Sequence, residues 1–279
     1  MVRSLRKSIY KSPAQLRLMQ EPNRITALAL QAAKEACVAG ATLLDVDRAA
    51  EAKIRELGAE PNFMLEPGYK HTICANVNDR VVHAVPDDYV IQPGDIVSID
   101  CGAVFNGWHG DSALTVVVPD PDNPETVARR QALSDHTKEA MWRAIAALAT
   151  AKELNSVGGA VEDYISENTD YSIVEEYIGH GIGRSMHEAP PVYTYWVNGR
   201  TAEVKPGLCV AIEPIIAAGR PETVTDKNDG WTVRMADGKD SCQWEHSVAV
   251  HKEGIWVLTA LDGGKEGLAP FGVTPVPIP

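Results

Sequence analysis

Apolar side chains recur every three or four positions over the first sixty residues, which is the spacing of amphipathic helices. Ser12-Pro13 is typical of a helix start, because a capping residue precedes a proline at the first helical position. The pattern predicts a short helix that ends near Gln20, a longer helix from Pro22 to about Val38, and a third from about Asp45 to Leu57.

Beyond Thr72 the pattern changes to the alternation and short apolar runs of β-strands. It predicts a hairpin of Thr72–Asn76 with Arg80–Ala84, and a stronger one of Ile96–Phe105 with Trp108–Val118, joined by the favoured turn Asn106-Gly107. Helices are expected at about 125–150 and 157–168. The strands predicted after them are Ser172–Tyr177, Leu208–Glu213, Trp231–Met235, Ser241–His251 and Ile255–Thr259.

The order of these elements is helices, strands, helices, strands, which describes two similar halves. It predicts an α+β fold with pseudo-twofold symmetry, in which helices cover the outside of a curved antiparallel sheet. Because no low-complexity linker separates the halves, we expect one domain over residues 13–260, with halves of about 13–120 and 121–260. Residues 1–12 are expected to form a basic tail, and residues 261–279 a Gly/Pro-rich tail extended along the surface.

Composition narrows the possible partners. The 279 residues include 26 Lys and Arg against 38 Asp and Glu, a formal net charge of -12, which disfavours nucleic acid or an anionic membrane. No window approaches the roughly 18 uninterrupted apolar residues of a membrane span. The five cysteines are odd in number and include no Cys-x-x-Cys pair, which is typical of free thiols in a reducing compartment. We therefore expect a cytoplasmic protein.

An acid stands at the same position after a Pro-Gly turn in each half. The run that follows Pro93-Gly94 reaches Asp100, and the run that follows Pro206-Gly207 reaches Glu213, each seven residues after the proline. Strand interiors disfavour acids, and burying an unpaired carboxylate costs free energy. The repeated pattern indicates a cation shared between the two halves.

Three more residues extend this candidate site: Asp111 on the partner strand of the Asn-Gly hairpin, Glu245 on a later strand, and His180 in a Gly-rich loop. Two divalent cations would balance the four carboxylates. Oxygen ligands with one imidazole suit Co, Mn, Fe(II) or Zn, and two such metals roughly 3.5–4 Å apart would deprotonate a bridging water. Each residue alone is better explained as a strand-end acid or a loop histidine, but the paired registers favour the metal site.

Two further histidines flank this set, His83 after an apolar strand and His187 in the loop after Gly183. Neither is needed to balance charge. They could polarise a carbonyl group or handle a proton beside the metals, and they could equally be ordinary surface-loop histidines.

These motifs together resemble the bacterial type I methionine aminopeptidases of the pita-bread metallopeptidase superfamily. The resemblance extends from about Ser12 to Thr259 and implies the pita-bread fold, with residues 13–260 as its catalytic domain. Its strongest stretches are Asn78–Pro86, Gly94–Thr115, Gly179–Pro190, Pro206–Pro214 and Asp229–Ser247.

The resemblance also implies a set of site residues and a reaction. In this reaction a hydroxide that bridges the two ions attacks the first peptide carbonyl, and the initiator methionine is removed when the second residue is small. Asp111 and Glu245 would bridge the metals, His187 would stabilise the oxyanion, His83 would assist at the leaving nitrogen and Glu213 would shuttle a proton to it. The implied metal ligands are Asp100, Asp111, His180, Glu213 and Glu245, and the implied methionine pocket includes Tyr69, Cys74, Met186 and Trp231.

The chain departs from the family pattern at the rim of that pocket. Relatives commonly show an aromatic-rich Tyr-x-Gly-Tyr-Pro run where this chain has Glu66-Pro67-Gly68-Tyr69-Lys70. Ala84 also replaces a usual glycine, and Met186 a frequent aromatic residue. None of these changes affects an expected metal ligand, so they bear on selectivity.

Two alternatives remain. One is an Xaa-Pro aminopeptidase or prolidase, although only 82 residues precede His83, too few for the extra N-terminal domain of those enzymes. The other is a binding protein that kept the fold without the chemistry. The expected partners are the N-termini of nascent polypeptides near the ribosome, with no nucleic acid and no membrane, and the expected state is a monomer.

Overall fold

The computed structural model describes residues 8–279 of the chain, so most of the basic tail expected over residues 1–12 lies outside the described residues. The long helices come in two pairs, one in each half. The helices are α1 Pro13–Ala36, α2 Leu43–Glu56, α3 Pro124–Leu148, α4 Asn155–Asn168 and α5 Lys265–Leu268, with 3-10 helices at Phe63–Leu65 and Ala269–Phe271.

The first helix is continuous, and the predicted break at Pro22 is wrong. Side chains satisfy backbone carbonyls around the proline: the Asn23 amide donates to the carbonyl of Met19 at 2.7 Å, and the Thr26 hydroxyl to that of Pro22 at 2.9 Å. The backbone of Pro22 and Asn23 lies against Gly110, where a Cβ would come within 2.8 Å of three of their atoms. Tertiary packing therefore overrides the tendency of proline to end a helix.

The strands of the described range are short apart from one hairpin. They are β1 Glu60–Pro61, β2 Ile73–Val77, β3 Arg80–Val82, β4 Ile96–Phe105, β5 Trp108–Val117, β6 Ser172–Ile173, β7 Gly179–Gly181, β8 Glu188–Val192, β9 Cys209–Ile212, β10 Ile215–Ala217, β11 Thr223–Thr225, β12 Val233–Met235, β13 Ser241–Gln243, β14 Glu245–His251 and β15 Gly254–Val257.

Nine strands form one curved sheet in which every pairing is antiparallel. Its order is β1-β4-β5-β14-β9-β7-β8, with β2 also paired to β4 and β15 to β14. Strands β13, β10 and β6 form a second sheet, and β11, β12 and β3 a third. The predicted α+β fold, with helices on a curved antiparallel sheet, is confirmed.

The predicted hairpin at residues 96–118 is confirmed, because Ile96 pairs with Val117 and the register continues to Phe105 and Trp108. Asn106 and Gly107 have φ angles of 52° and 70°, as a tight two-residue hairpin turn requires.

Three other strand predictions are wrong. Strand β2 pairs with β4 and β3 with β12, so the two do not form the expected hairpin ladder. The single strand predicted over 241–251 is divided at Trp244 between two sheets. Residues 179–181, expected to be loop, form β7 between β9 and β8.

The two helix pairs cover one face of the large sheet. Residues Val97, Ile99, Cys101 and Ala103 of β4 pack in a core with α1 and α2. Residues of β9, β14 and β15 pack in a second core with α3 and α4. Because successive strand residues point to opposite faces, Ser98 and Asp100 face away from the helices. The face without helices is therefore the one that carries the candidate acids.

The C-terminal segment is less extended than expected. It contains α5 and a 3-10 helix, and Leu268 is fully buried in the second core. Beyond them, the Val276 amide donates to the carbonyl of Ile255 at 2.9 Å, which attaches the last residues to β15. Over residues 8–279, no helix combines the length and apolar character needed to cross a bilayer.

Two adjacent glycines provide a matched test of how α4 packs against the segment that carries Tyr195 and Trp196. A Cβ at Gly158 would overlap the carbonyl oxygen of Tyr195, whereas one at Gly159 would lie 3.2 Å from the ring of Trp196, a side chain that is 57% exposed and free to move. We predict that Gly158→Ala lowers the free energy of unfolding by about 1–3 kcal/mol. Gly159→Ala should leave it unchanged or raise it by up to about 1 kcal/mol. Urea titration measures both, and equal effects would contradict the packing described.

Candidate metal centre

One row of side chains crosses the open face of the large sheet. Asp100 of β4 is the register partner of Cys74 on β2 and of Ala113 on β5, and Ala113 is in turn the partner of Glu245 on β14. Side chains at paired positions of antiparallel strands point to the same face. Asp111 lies two residues before Ala113 and therefore points to that face as well. The pairing thus brings three acids together around one alanine.

Glu213 and His180 complete the cluster from the second half. Ile212 pairs with His246, so the next residue, Glu213, lies beside Glu245. His180 Nε2 lies 3.4 Å from Glu213 Oε1 and 3.8 Å from Asp111 Oδ2. On either side of His180, Gly179 and Gly181 lie so close to carbonyl oxygens of neighbouring strands that a Cβ would overlap them. Glycine on both sides therefore allows this strand to bring the imidazole against the acids.

The hydrogen bonding of His180 fixes which ring nitrogen faces the acids. Its Nδ1 lies 2.9 Å from the carbonyl oxygen of Gly181, which can only accept, so Nδ1 carries the proton. The lone pair of Nε2 then points into the cluster. Burial, and next the adjacent ring of His187, lower the pKa of His180 to about 4. The ring is neutral at pH 7, which is the form that binds metals.

Burial makes ionisation of the acids unfavourable in the protein alone. It is the largest cause that raises the pKa of Asp100 to about 7, and it raises those of Asp111, Glu213 and Glu245 well above their usual values. Repulsion from the neighbouring carboxylates adds to the effect at these last three. Among residues 8–279, no lysine or arginine lines the cavity to compensate these charges.

Three buried carboxylate oxygens have no hydrogen-bond donor within the described part of the chain. They are Asp100 Oδ1, Asp111 Oδ1 and Glu245 Oε1. Asp111, His180 and Glu245 each offer one ligand atom, and these atoms all lie within 4.8 Å of one another. Buried acceptors without donors cost free energy unless something binds them. Oxygen donors with one neutral imidazole nitrogen fit a divalent cation.

All eleven residues predicted for the site line one cavity of about 390 Å³. They are Tyr69, Cys74, His83, Asp100, Asp111, His180, Met186, His187, Glu213, Trp231 and Glu245. Glu66, expected at the pocket rim, also lines the cavity, together with residues for which no site role is predicted from the sequence: Phe63, Val82, Glu176, Tyr177, Ile178 and Gln243.

The wall beside the acids is apolar and rich in sulfur. Phe63, Tyr69, Cys74 and Met186 form one buried cluster, against which Trp231 packs. The rings of Tyr69 and Trp231 meet edge to face with centroids 5.2 Å apart. The Tyr69 hydroxyl donates to the carbonyl of Ile73 at 2.7 Å, so its polar atom is satisfied. This wall can receive an unbranched apolar or thioether side chain.

His187 and His83 lie in the same cavity. The ring of His187 meets that of His180 with centroids 4.4 Å apart. Both side chains keep exposed surface, but the surrounding cavity wall partly desolvates them. This desolvation lowers the pKa of His187, although the nearby Glu66 acts to raise it. Desolvation, followed by His187, lowers the pKa of His83. His83 has a φ of 56°, an unusual backbone conformation for a residue other than glycine, and such strain is concentrated at functional sites.

Gln243 is the member of the cavity that sequence reasoning could have found. It lies two residues before Glu245, so an extended chain directs both side chains to one face. Its amide nitrogen lies 3.4 Å from Glu213 Oε2, and its backbone amide donates to the hydroxyl of Ser98 at 3.1 Å. Phe63 and Glu176, in contrast, come from segments whose sequences carry no comparable signal.

Known proteins resemble this chain in both sequence and structure. The sequence pattern of metallopeptidase family M24 matches residues 17–252. Methionine aminopeptidase 1 from Mycobacterium tuberculosis is 40% identical over 255 residues, which cover 89% of this chain and 94% of the relative. The crystal structure of methionine aminopeptidase from Rickettsia prowazekii superposes with a TM-score of 0.84 at 30% identity, covering 90% of this chain and 98% of that one.

A more distant likeness concerns the fold alone. Xaa-Pro dipeptidase from Bacillus anthracis superposes with a TM-score of 0.68 at 22% identity, and the match covers 90% of this chain but 62% of that enzyme. The pita-bread fold predicted from the sequence is thereby confirmed. The extent of the sequence match and its agreement with the structure establish that the chain belongs to metallopeptidase family M24.

Proposed function

We propose that this chain is a metal-dependent aminopeptidase that removes the N-terminal methionine from new polypeptides whose second residue is small. The observation that carries the proposal is the cavity itself, where buried acids with unpaired oxygens adjoin an apolar, sulfur-containing wall. A relative named as a methionine aminopeptidase matches nearly the whole chain at 40% identity. The acids suit a metal-dependent hydrolysis, and the adjoining apolar wall suits a methionine side chain.

Asp100, Asp111, His180, Glu213 and Glu245 are the residues that would hold two divalent cations. The unpaired oxygens of three of these acids and the free lone pair of His180 support this assignment. Co, Mn, Fe(II) and Zn all suit such mixed oxygen and nitrogen ligands. When bound, these cations act as Lewis acids and supply a nucleophile from water at neutral pH.

His187 and His83 are proposed to act on the peptide bond. Both imidazoles are neutral at pH 7 because partial desolvation by the cavity wall lowers each pKa, so each can donate one hydrogen bond and accept another. His187 would donate to the oxygen of the scissile carbonyl as it gains charge, which is a large contribution in acyl transfer. His83 would contact the leaving nitrogen. Glu213, whose carboxyl group lies beside His180, would pass a proton to that nitrogen.

The apolar wall favours methionine over the prolidase alternative. Tyr69, Cys74, Met186 and Trp231 offer aromatic and sulfur contacts that match a flexible thioether side chain. The likeness to the Xaa-Pro dipeptidase extends to the fold alone.

The five cysteines are all buried and unpaired, which supports the proposed cytoplasmic location. We further propose that the enzyme acts as a monomer on nascent chains near the ribosome.

A peptide assay tests the proposed function directly. We predict that the metal-reconstituted protein releases methionine from a Met-Ala peptide and leaves a matched Xaa-Pro peptide intact. Asp100→Ala and Glu245→Ala should lower kcat/KM by more than about 100-fold and lose bound metal, because each removes a ligand. Asp122→Ala, which removes an exposed surface acid, is the control and should retain activity. Cleavage of the Xaa-Pro peptide alone would favour the prolidase function.

The raised pKa values predict an unusual pH dependence. A carboxyl group whose pKa is higher in the folded than in the unfolded chain makes the folded state bind more protons, so the free energy of unfolding falls as pH rises above about 4. For Asp100 this loss continues through about pH 7. Cations compete with these protons. We predict that Mn²⁺ raises the melting temperature more at about pH 8 than at about pH 5.

The Glu245→Gln variant tests whether the pH-dependent rise in melting temperature with Mn²⁺ comes from the buried acids rather than from surface carboxylates. The variant should show a much smaller Mn²⁺-dependent rise, because a metal ligand and a buried charge are both removed. Glu139→Gln, which removes a surface acid on α3, should behave like the wild type. A wild-type Mn²⁺ response in Glu245→Gln would contradict the proposed ligand set.

The rim of the cavity predicts a preference among substrates. Glu66 and Glu176 are exposed lining residues, and no lysine or arginine of the described range lines the cavity with them. An exposed charge contributes about 0.2–1 kcal/mol, so we predict that Met-Ala-Lys peptides react a few-fold faster than Met-Ala-Glu peptides at low salt. Glu66→Gln should reduce this ratio, and salt should reduce it in the wild type. An unchanged ratio in Glu66→Gln would contradict the role of Glu66.

A further inference from the structure

A buried cation lies behind the loop that carries His187. The side chain of Lys11, just before α1, is only 7% exposed, and its Nζ donates to Glu188 Oε2 at 3.0 Å. Glu188 directly follows His187 in the chain. A buried lysine is rare unless it is paired, so this contact is a specific part of the structure rather than a surface ion pair.

The other oxygen of Glu188 closes the loop on itself. Glu188 Oε1 accepts hydrogen bonds from the backbone amides of Arg184, at 2.7 Å, and Ser185, at 3.0 Å. Burial opposes ionisation of Glu188, but the hydrogen bonds from Lys11 and from these amides outweigh it and lower its pKa. The carboxylate therefore connects the first residues of the loop to Lys11.

Lys11 is itself attached to the core. Its backbone amide donates to the carbonyl of Gly207 at 2.7 Å, and the hydroxyl of the preceding Tyr10 donates to the carbonyl of Glu203 at 2.8 Å. The next residue, Ser12, caps α1. A Cβ at Gly183 would lie 2.7 Å from Lys11 Cε, so the lysine stem also packs directly against the start of the loop.

The same loop carries two residues of the cavity. Met186 is buried in the apolar wall, and His187 lies against His180. Apart from this ring contact, no side-chain hydrogen bond within residues 8–279 holds His187, so its position depends largely on the backbone of the loop. A misplacement of about 1 Å in a catalytic group can lower a rate 100-fold.

We propose that the Lys11–Glu188 ion pair is a positioning device that holds the loop of residues 183–187 so that His187 meets the scissile carbonyl. This inference rests on the proposed function. Lys11 touches no substrate and acts through His187. Lys11, which lies just before α1, thereby helps to position a catalytic group without contacting the reacting atoms.

Lys11→Met tests the device because it keeps the apolar stem and removes the cation. We predict about a tenfold fall in kcat/KM on the Met-Ala peptide, mostly in kcat, with metal content and melting temperature close to wild type. Glu188→Gln should lower kcat/KM to a similar extent. Lys11→Arg keeps the positive charge and should retain much more activity than Lys11→Met. Arg24→Met, which removes the cation of an exposed pair on α1, is the control and should retain full activity.

A double-mutant cycle shows whether Lys11 acts through His187. The Lys11→Met/His187→Ala double variant should be no slower than His187→Ala alone, because the loop then has no imidazole to position. Full activity of Lys11→Met, or losses that multiply in the double variant, would overturn the inference. So would unfolding or metal loss in both Lys11→Met and Glu188→Gln, since the pair would then be structural. A wild-type protein that fails to cleave the Met-Ala peptide would overturn the proposed function instead.

Discussion

The main physical constraint on the structure is that four carboxyl groups lie close together in one cavity, which costs free energy. Burial raises the pKa of all four acids, and repulsion from neighbouring carboxylates adds to it at Asp111, Glu213 and Glu245. Burial reduces their solvation by water, and no lysine or arginine of the described range lines the cavity. Such an arrangement is unfavourable unless protons or cations accompany the carboxylates. The rest of the fold maintains this arrangement.

The sheet imposes the arrangement through its register. Ala113 is paired with both Asp100 and Glu245, so the two halves of the chain meet at a small side chain that leaves room between the acids. Helices cover the opposite face and bury the cores that stabilise the strands. Asp100 and Asp111 come from a hairpin ladder of two ten-residue strands, so their backbone positions are fixed more firmly than a loop would allow. The histidine-bearing loop lacks such a ladder, which is why its attachment to Lys11 matters.

Much of the site could be predicted from the sequence because strand alternation is a local property. The Pro-Gly turns set the position of Asp100 and Glu213, and the Asn106-Gly107 turn set the pairing that brings Asp111 to the same face. The structure places all of the predicted residues in one cavity. Their individual roles as ligands and catalytic groups remain predictions.

The errors arose where distant contacts override local signals. Pro22 ends a helix in isolation, but packing against Gly110 and side-chain hydrogen bonds keep α1 continuous. Residues 241–251 have an unbroken strand pattern, yet the chain changes sheets at Trp244. The contribution of Phe63 and Glu176 to the cavity depends on the tertiary fold alone.

Anomalous scattering from crystals of the Mn²⁺-loaded protein tests the central claim most directly. Two peaks roughly 3.5–4 Å apart are expected in the cavity, bound by Asp100, Asp111, His180, Glu213 and Glu245. Peaks at other residues, or a cavity without manganese at saturating concentration, would contradict the account.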